Sequence, residues 1–178
     1  TGLYPVVINK LIGTQFKVIT GYKSSSEVDL AMQKGEVQGK IGWTWGNLNS
    51  GTTGQWVKDH TVTVIIQLGL EKSPKIPSDV PLLLDLAKSP EDAQLMRLIF
   101  GTTATGYPSF MGPKVAADRV DAIRQAFRDT MKDPDFRGAL ARQKLEVDPI
   151  EGEDIAKMVK KIFDVSPAVI ERAKELMP

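Results

Sequence analysis

The chain has 178 residues, 42% hydrophobic and 25% charged, and its 23 basic and 22 acidic side chains leave a net charge of +1. That balance excludes an electrostatic case for nucleic acid or an anionic membrane as partner, and the absence of cysteine excludes disulfides, thiolate chemistry and cysteine-based zinc sites. No apolar run approaches the roughly 20 residues that span a bilayer. The length predicts one domain or slightly more. Thr1, with no basic-then-apolar leader after it, predicts that something upstream was removed or never included.

From the N-terminus, "YPVVINKLIG" (4–13) predicts a helix closed by Gly13, with Val7, Ile8, Leu11 and Ile12 at helical spacing on one side. "QFKVIT" (15–20) is rich in β-branched and aromatic residues and predicts a strand. A helix over 25–34 follows, with Gly35 as the left-handed residue past its end. Val37 to about Trp45 predicts another strand, and "GNLNSGTTG" (46–54) a loop by composition. "TVTVIIQLG" (61–69) is the most strand-like stretch of the chain. "LEKSPKIPSDVP" (70–81) holds three prolines without a period and predicts a long loop.

"SPED" (89–92) marks a helix start, with Ser89 as N-cap, Pro90 at the first helical position and acids in the first turn. The device recurs at "DPDF" (133–136) and "SP" (166–167). From Ala117 onward four helices are predicted, over 117–131, 134–143, 152–164 and 167–176. "YPSFMGP" (107–113) reads as a crossing segment with one short strand. Residues 1–106 alternate strand and helix, which predicts an α/β layer with a mostly parallel sheet. Residues 107–178 are helix-rich.

Ser24-Ser25-Ser26-Glu27 matches a capping box, Ser24 capping and Glu27 reaching back. A cap alone accounts for it. The same turn, with free N–H groups, the helix dipole and serine hydroxyls, also suits a carboxylate. Thr1 and Gly2 precede another helix and offer a second such place. Trp43 and Trp45 are two apart, so a strand would point both to one face. They suit core packing or the wall of a cleft, with Asn47 close behind. His60, the only histidine, sits in the polar turn "KDHT" and predicts a surface residue. With no second histidine and no cysteine, no nucleophile–base pair is suggested. Glu151, Glu153 and Asp154 lie at a helix start, where acids complement the dipole, and this outweighs a metal or acid–base reading. No Gly-rich phosphate loop is present. The residues therefore predict no catalytic group, no metal and no cofactor.

"GYKSSSEVDLAMQKGEVQG" (21–39) resembles the tyrosine-lysine-glycine segment, helix and "G-E-V-D-G" turn of the substrate receptors of tripartite tricarboxylate transporters, the Bug-type periplasmic binding proteins. "LYPVVINKLIGTQFKVITGYK" before it, "VTVIIQLGLEKSPKIPSDVPLLLDLA" after it and "FMGPKVAADRVDAIRQAFRDTMKDPDF" further on follow that family's order. The resemblance spans essentially the whole chain. It implies a periplasmic-binding-protein type II-like α/β fold, with residues 1–106 as one near-complete lobe and 107–178 as the crossing segment and C-terminal helices of the other. It implies a periplasmic receptor that binds a small organic acid and delivers it to membrane transporter subunits. Ser24 stands where the family has a glycine, and "GWTWGN" replaces an aspartate-asparagine pair, Asn47 keeping the asparagine's place.

The expected ligand site is Thr1, Gly2, Tyr22, Ser24, Ser25, Ser26, Trp43, Trp45 and Asn47. The other reading is a ligand-sensing regulatory domain or an enzyme on a similar two-lobed fold. Family members are longer than this chain. The apolar faces of the C-terminal helices (Val120, Ile123 and Phe127, then Ile155, Met158, Val159 and Ile162) are therefore expected to be covered by residues 1–106 or by a second copy.

Overall fold

Local signals placed most helices where the structure has them. The structure, a computed structural model, describes residues 2–143, 145 and 147–177. Its helices are α1 (Leu3–Ile12), α2 (Ser25–Gln33), α3 (Trp45–Leu48), α4 (Gly51–Lys58), α5 (Pro90–Phe100), α6 (Ala117–Lys132), α7 (Pro134–Arg142), α8 (Gly152–Phe163) and α9 (Pro167–Leu176). Short 3-10 turns occupy Leu83–Leu86 and Gly101–Thr105. Ser24, Ser89, Asp133 and Ser166 each cap a helix, their side-chain oxygens accepting from the backbone N–H three residues on. Gly35, at φ 75°, ends α2 in a Schellman arrangement: its N–H donates to Met32 O and that of Glu36 to Ala31 O.

The α/β expectation is overturned. Helix makes up 56% of the structure and strand 1%, with no sheet among the described residues, so the fold is all-helical and not a periplasmic-binding-protein type II-like α/β layer. The stretches 15–20, 61–66 and 107–113 and most of 37–45 carry neither helix nor ladder, and Trp45 opens α3 instead of ending a strand. The one β-bridge among the described residues joins Gln67 to Leu82, in parallel. β-Branched residues favour a strand because they fit a pleated, half-buried surface. Without a neighbouring strand that preference forms no ladder. At Phe16 a side chain takes the neighbour's place: the Asn9 carboxamide donates to Phe16 O at 2.9 Å and accepts from Phe16 N–H at 2.8 Å.

The loop expected at 46–54 is partly helix, since α4 begins at Gly51. Gly54 explains why composition misled there. A Cβ at this position would lie 2.8 Å from the Asn49 carbonyl carbon, so the α3–α4 turn requires glycine for close approach and not for flexibility.

The core gathers Val7, Ile8 and Leu11 of α1, Leu83, then Leu95, Met96, Ile99 and Phe100 of α5, and Val169 and Ala173 of α9. It thus draws on both sides of residue 106. Tyr4 meets Phe100 edge-on, ring centres 5.1 Å apart. Asp92, buried at the start of α5, accepts from Arg172 of α9 at 2.7 Å and ties the two helices together. Of the seven C-terminal apolar residues, Ile162 is fully buried, while Val120, Ile155 and Met158 are half-buried. Ile123, Phe127 and Val159 stay exposed, so residues 1–106 do not cover them.

Candidate functional site

The serine turn is exposed at the start of α2. Ser24 Oγ accepts from Glu27 N–H at 3.2 Å, and the Glu27 carboxylate reaches back one residue beyond the cap to accept from Lys23 N–H at 2.8 Å. The first-turn N–H groups of Ser25 and Ser26 face outward, as helix geometry requires. Lys40, missed in the sequence, holds this turn from the side. Its ammonium donates to Ser25 O at 3.0 Å, Ser25 Oγ at 2.5 Å and Asp29 Oδ1 at 2.6 Å. It also lies 4.8 Å from the centre of the Trp43 ring. Trp43 therefore meets the serine turn only through Lys40. Glu27 and Asp29 bring two carboxylates to the same end of α2, and these compete with any incoming anion.

Trp45 has a different environment. Thr44 caps α3, its Oγ1 accepting from Asn47 N–H at 3.3 Å. Asn47 O in turn accepts from Thr53 Oγ1 at 2.7 Å, which locks α3 to α4. This turn places Trp45 on the wall of an open cleft of about 730 Å³, with Val57, Gln67 and the loop 72–78 opposite.

Gln67 shapes that loop. Its backbone N–H donates to Pro81 O and its carbonyl accepts from Leu83 N–H, while its buried side chain donates to Val80 O at 3.0 Å and accepts from Ser73 N–H at 2.9 Å. All its polar atoms point inward to backbone, so the loop carrying Lys72 and Lys75 is held over the cleft. The sequence signal was a lone carboxamide in the apolar run "TVTVIIQLG". Lys72 lies 3.8 Å from Asp85, and Lys75 lies 3.2 Å from Asp148; both ammoniums are about half exposed. A hydrated pair such as Lys72–Asp85 contributes about 0–1 kcal/mol, so an arriving carboxylate can replace Asp85 at little cost.

The structure thus splits the expected site. Trp45 lines the cleft; Ser25 and Trp43 contact Lys40, Ser24 and Ser26 flank Ser25 in the chain, and none of these four lines the cleft. Tyr22 is half-buried beside the serine turn in sequence, Asn47 is exposed on α3, and Gly2 caps α1 without a side chain. Thr1 lies outside the described residues. His60 is exposed in a left-handed turn after α4, at φ 56°. No group of three His, Cys, Asp or Glu among the described residues is placed to hold a metal ion, and no helix described is long and apolar enough to cross a membrane. No family model, curated protein or solved structure matches the chain.

Proposed function

We propose that the chain is a solute-binding module that takes a small mono- or dicarboxylate without turnover, as an extracytoplasmic receptor for a tripartite tricarboxylate-type transporter. The resemblance of linked segments along the chain supports the receptor reading. One observation carries the ligand class: Trp45 and the Lys72 and Lys75 ammoniums line one open cleft. A carboxylate lies against the ammoniums, and the carbon skeleton lies against the Trp45 ring, Val57 and Ile76. Among the described residues, no histidine or carboxylate lines the cleft beside Ser73 and Ser78 to act as their base, which supports binding without turnover. The serine turn is the second place a carboxylate can dock, through the Ser25 and Ser26 N–H groups and the Ser25 hydroxyl.

Calorimetry and tryptophan fluorescence on the chain, titrated with a panel of small mono- and dicarboxylates, test this reading. The expected result is saturable heat with a fluorescence change, both lost in Lys72→Met/Lys75→Met. Ser25→Ala distinguishes the two places. It leaves cleft binding intact, but weakens binding at the serine turn by on the order of 1 kcal/mol, since most donors there are backbone. No heat with any acid, or product formed from any, overturns the proposal.

A further inference from the structure

Tyr107 is 94% and Phe110 82% exposed, more than any other large apolar side chain among the described residues. Both lie on the extended segment between the Gly101–Thr105 turn and α6. From Tyr107 to Met111 no backbone hydrogen bond is made among the described residues. Both flanks are open, since a Cβ at Gly106 or Gly112 would meet nothing within 4 Å. An endoprotease takes its substrate as an extended strand, through backbone groups that must be free, and nicking concentrates on exposed connecting segments. In this segment the backbone already has that form.

Side-chain chemistry selects the bond. A protease with an apolar primary pocket cuts after a large apolar residue. Tyr107 precedes Pro108, whose ring nitrogen carries no hydrogen, and such bonds resist cleavage. Phe110 precedes Met111 through an ordinary secondary amide. Other exposed apolar residues are held. Phe16, 42% exposed, has its N–H and its carbonyl both bonded to the Asn9 side chain. The Leu145 N–H donates to Leu140 O. Phe163 is 60% exposed but ends α8, so the residues ahead of it extend only if the helix unwinds.

We propose that the Phe110–Met111 bond is a cleavage site in the folded chain for a protease of chymotrypsin-like specificity, and that the cut chain stays folded as a complex of residues 1–110 and 111–178. Water adds across the amide, leaving a carboxylate on Phe110 and an ammonium on Met111. The core spans the cut and holds the two pieces. Val169 and Ala173 of α9 pack with side chains of α1 and α5. Arg172 donates to the buried Asp92 of α5 at 2.7 Å. Ile162 of α8 is fully buried beside Gly101, where an added Cβ would lie 2.9 Å from its Cγ1. None of these contacts runs through residues 107–113. The inference is independent of the carboxylate reading.

Brief digestion of the chain with chymotrypsin at low protease ratio, followed by mass spectrometry, tests the proposal. The expected first products are residues 1–110 and 111–178, accumulating together. On a sizing column the cut chain elutes with the uncut one and keeps its helix content by circular dichroism; the two pieces separate in urea. Phe110→Ser, at an exposed position, folds as before and loses this cut, while Phe16→Ser keeps it. A first cut at any other bond overturns the proposal. So does digestion in which neither piece accumulates, which would mean that cleavage waits for global unfolding. Pieces that separate without urea overturn it as well.

Discussion

Helices α5 and α6 are alike in pattern and opposite in fate. Both are amphipathic and both begin with acids in the first turn. Yet α5 buries Asp92, Leu95, Met96, Ile99 and Phe100, and α6 buries nothing. The difference lies in what surrounds them. Helix α5 meets α1, α8, α9 and both 3-10 turns, while α6 meets α7 and two exposed carboxylates of the α8 start. An apolar stripe therefore specifies that a segment is helical and which side seeks cover. Whether cover exists is decided by other parts of the chain, or by another chain.

The contrast can be broken first at Phe100. Phe100→Ala opens a cavity among Tyr4 and the α1 and α9 side chains and is expected to cost about 3–5 kcal/mol, read as a lowered midpoint in urea. A loss below 1 kcal/mol would mean that α5 is no better packed than α6.

Next comes the comparison of tethers. Asp92→Ala removes a buried carboxylate, its side chain 10% exposed, from Arg172. The expected loss is about 1–3 kcal/mol. Glu151→Ala on the α6 side breaks a half-exposed pair and should lie within about 0–1 kcal/mol. Equal losses would remove the distinction between the two tethers.

Smaller still is Phe127→Ala. It should change stability by less than about 0.5 kcal/mol. Amide hydrogen exchange sharpens this, with α5 amides exchanging only on global unfolding and α6 amides through local opening. Protection of α6 equal to that of α5 would contradict it.

The smallest effect is on the surface of α8. The Lys157 ammonium is pushed above its ordinary value of 10.5 by the hydrogen bond and charge of Asp154, 2.8 Å away. A raised lysine pKa stabilises the folded form at pH below the ordinary value and ceases to do so as pH rises through the raised one. Asp154→Asn should return Lys157 to its ordinary titration by NMR, with no measurable change in stability at neutral pH. An unchanged titration would show that Asp154 is not the cause.

Part of the candidate site was legible. Ser24 as a cap follows from a contact three residues long; Trp45 beside a cleft was expected from a strand end, and the structure puts it there at the start of α3 instead. Lys40 at the serine turn was not legible, because it meets Asp29 eleven residues away. Nor were Lys72 and Lys75 beside Trp45. Their loop reaches the cleft through Gln67, whose four hydrogen bonds go to backbone spread from Ser73 to Leu83. In a sequence, a glutamine in an apolar run shows that something must satisfy it, but not what.

What the sequence determined by itself is everything closed by short-range hydrogen bonds. The caps at Ser24, Ser89, Asp133 and Ser166, the Schellman end at Gly35, the start of α5 and the extents of α6 through α9 all depend on contacts within about a turn of helix. Tertiary structure decided the rest. β-Branched residues at 15–20 and 61–66 become strands only when a second segment presents its backbone alongside, and here only Gln67 and Leu82 meet. A helix supplies its own hydrogen-bond partners, whereas a strand must borrow them from elsewhere in the chain. That is why most of the helices, α3 and α4 excepted, were read from the residues and the sheet was not.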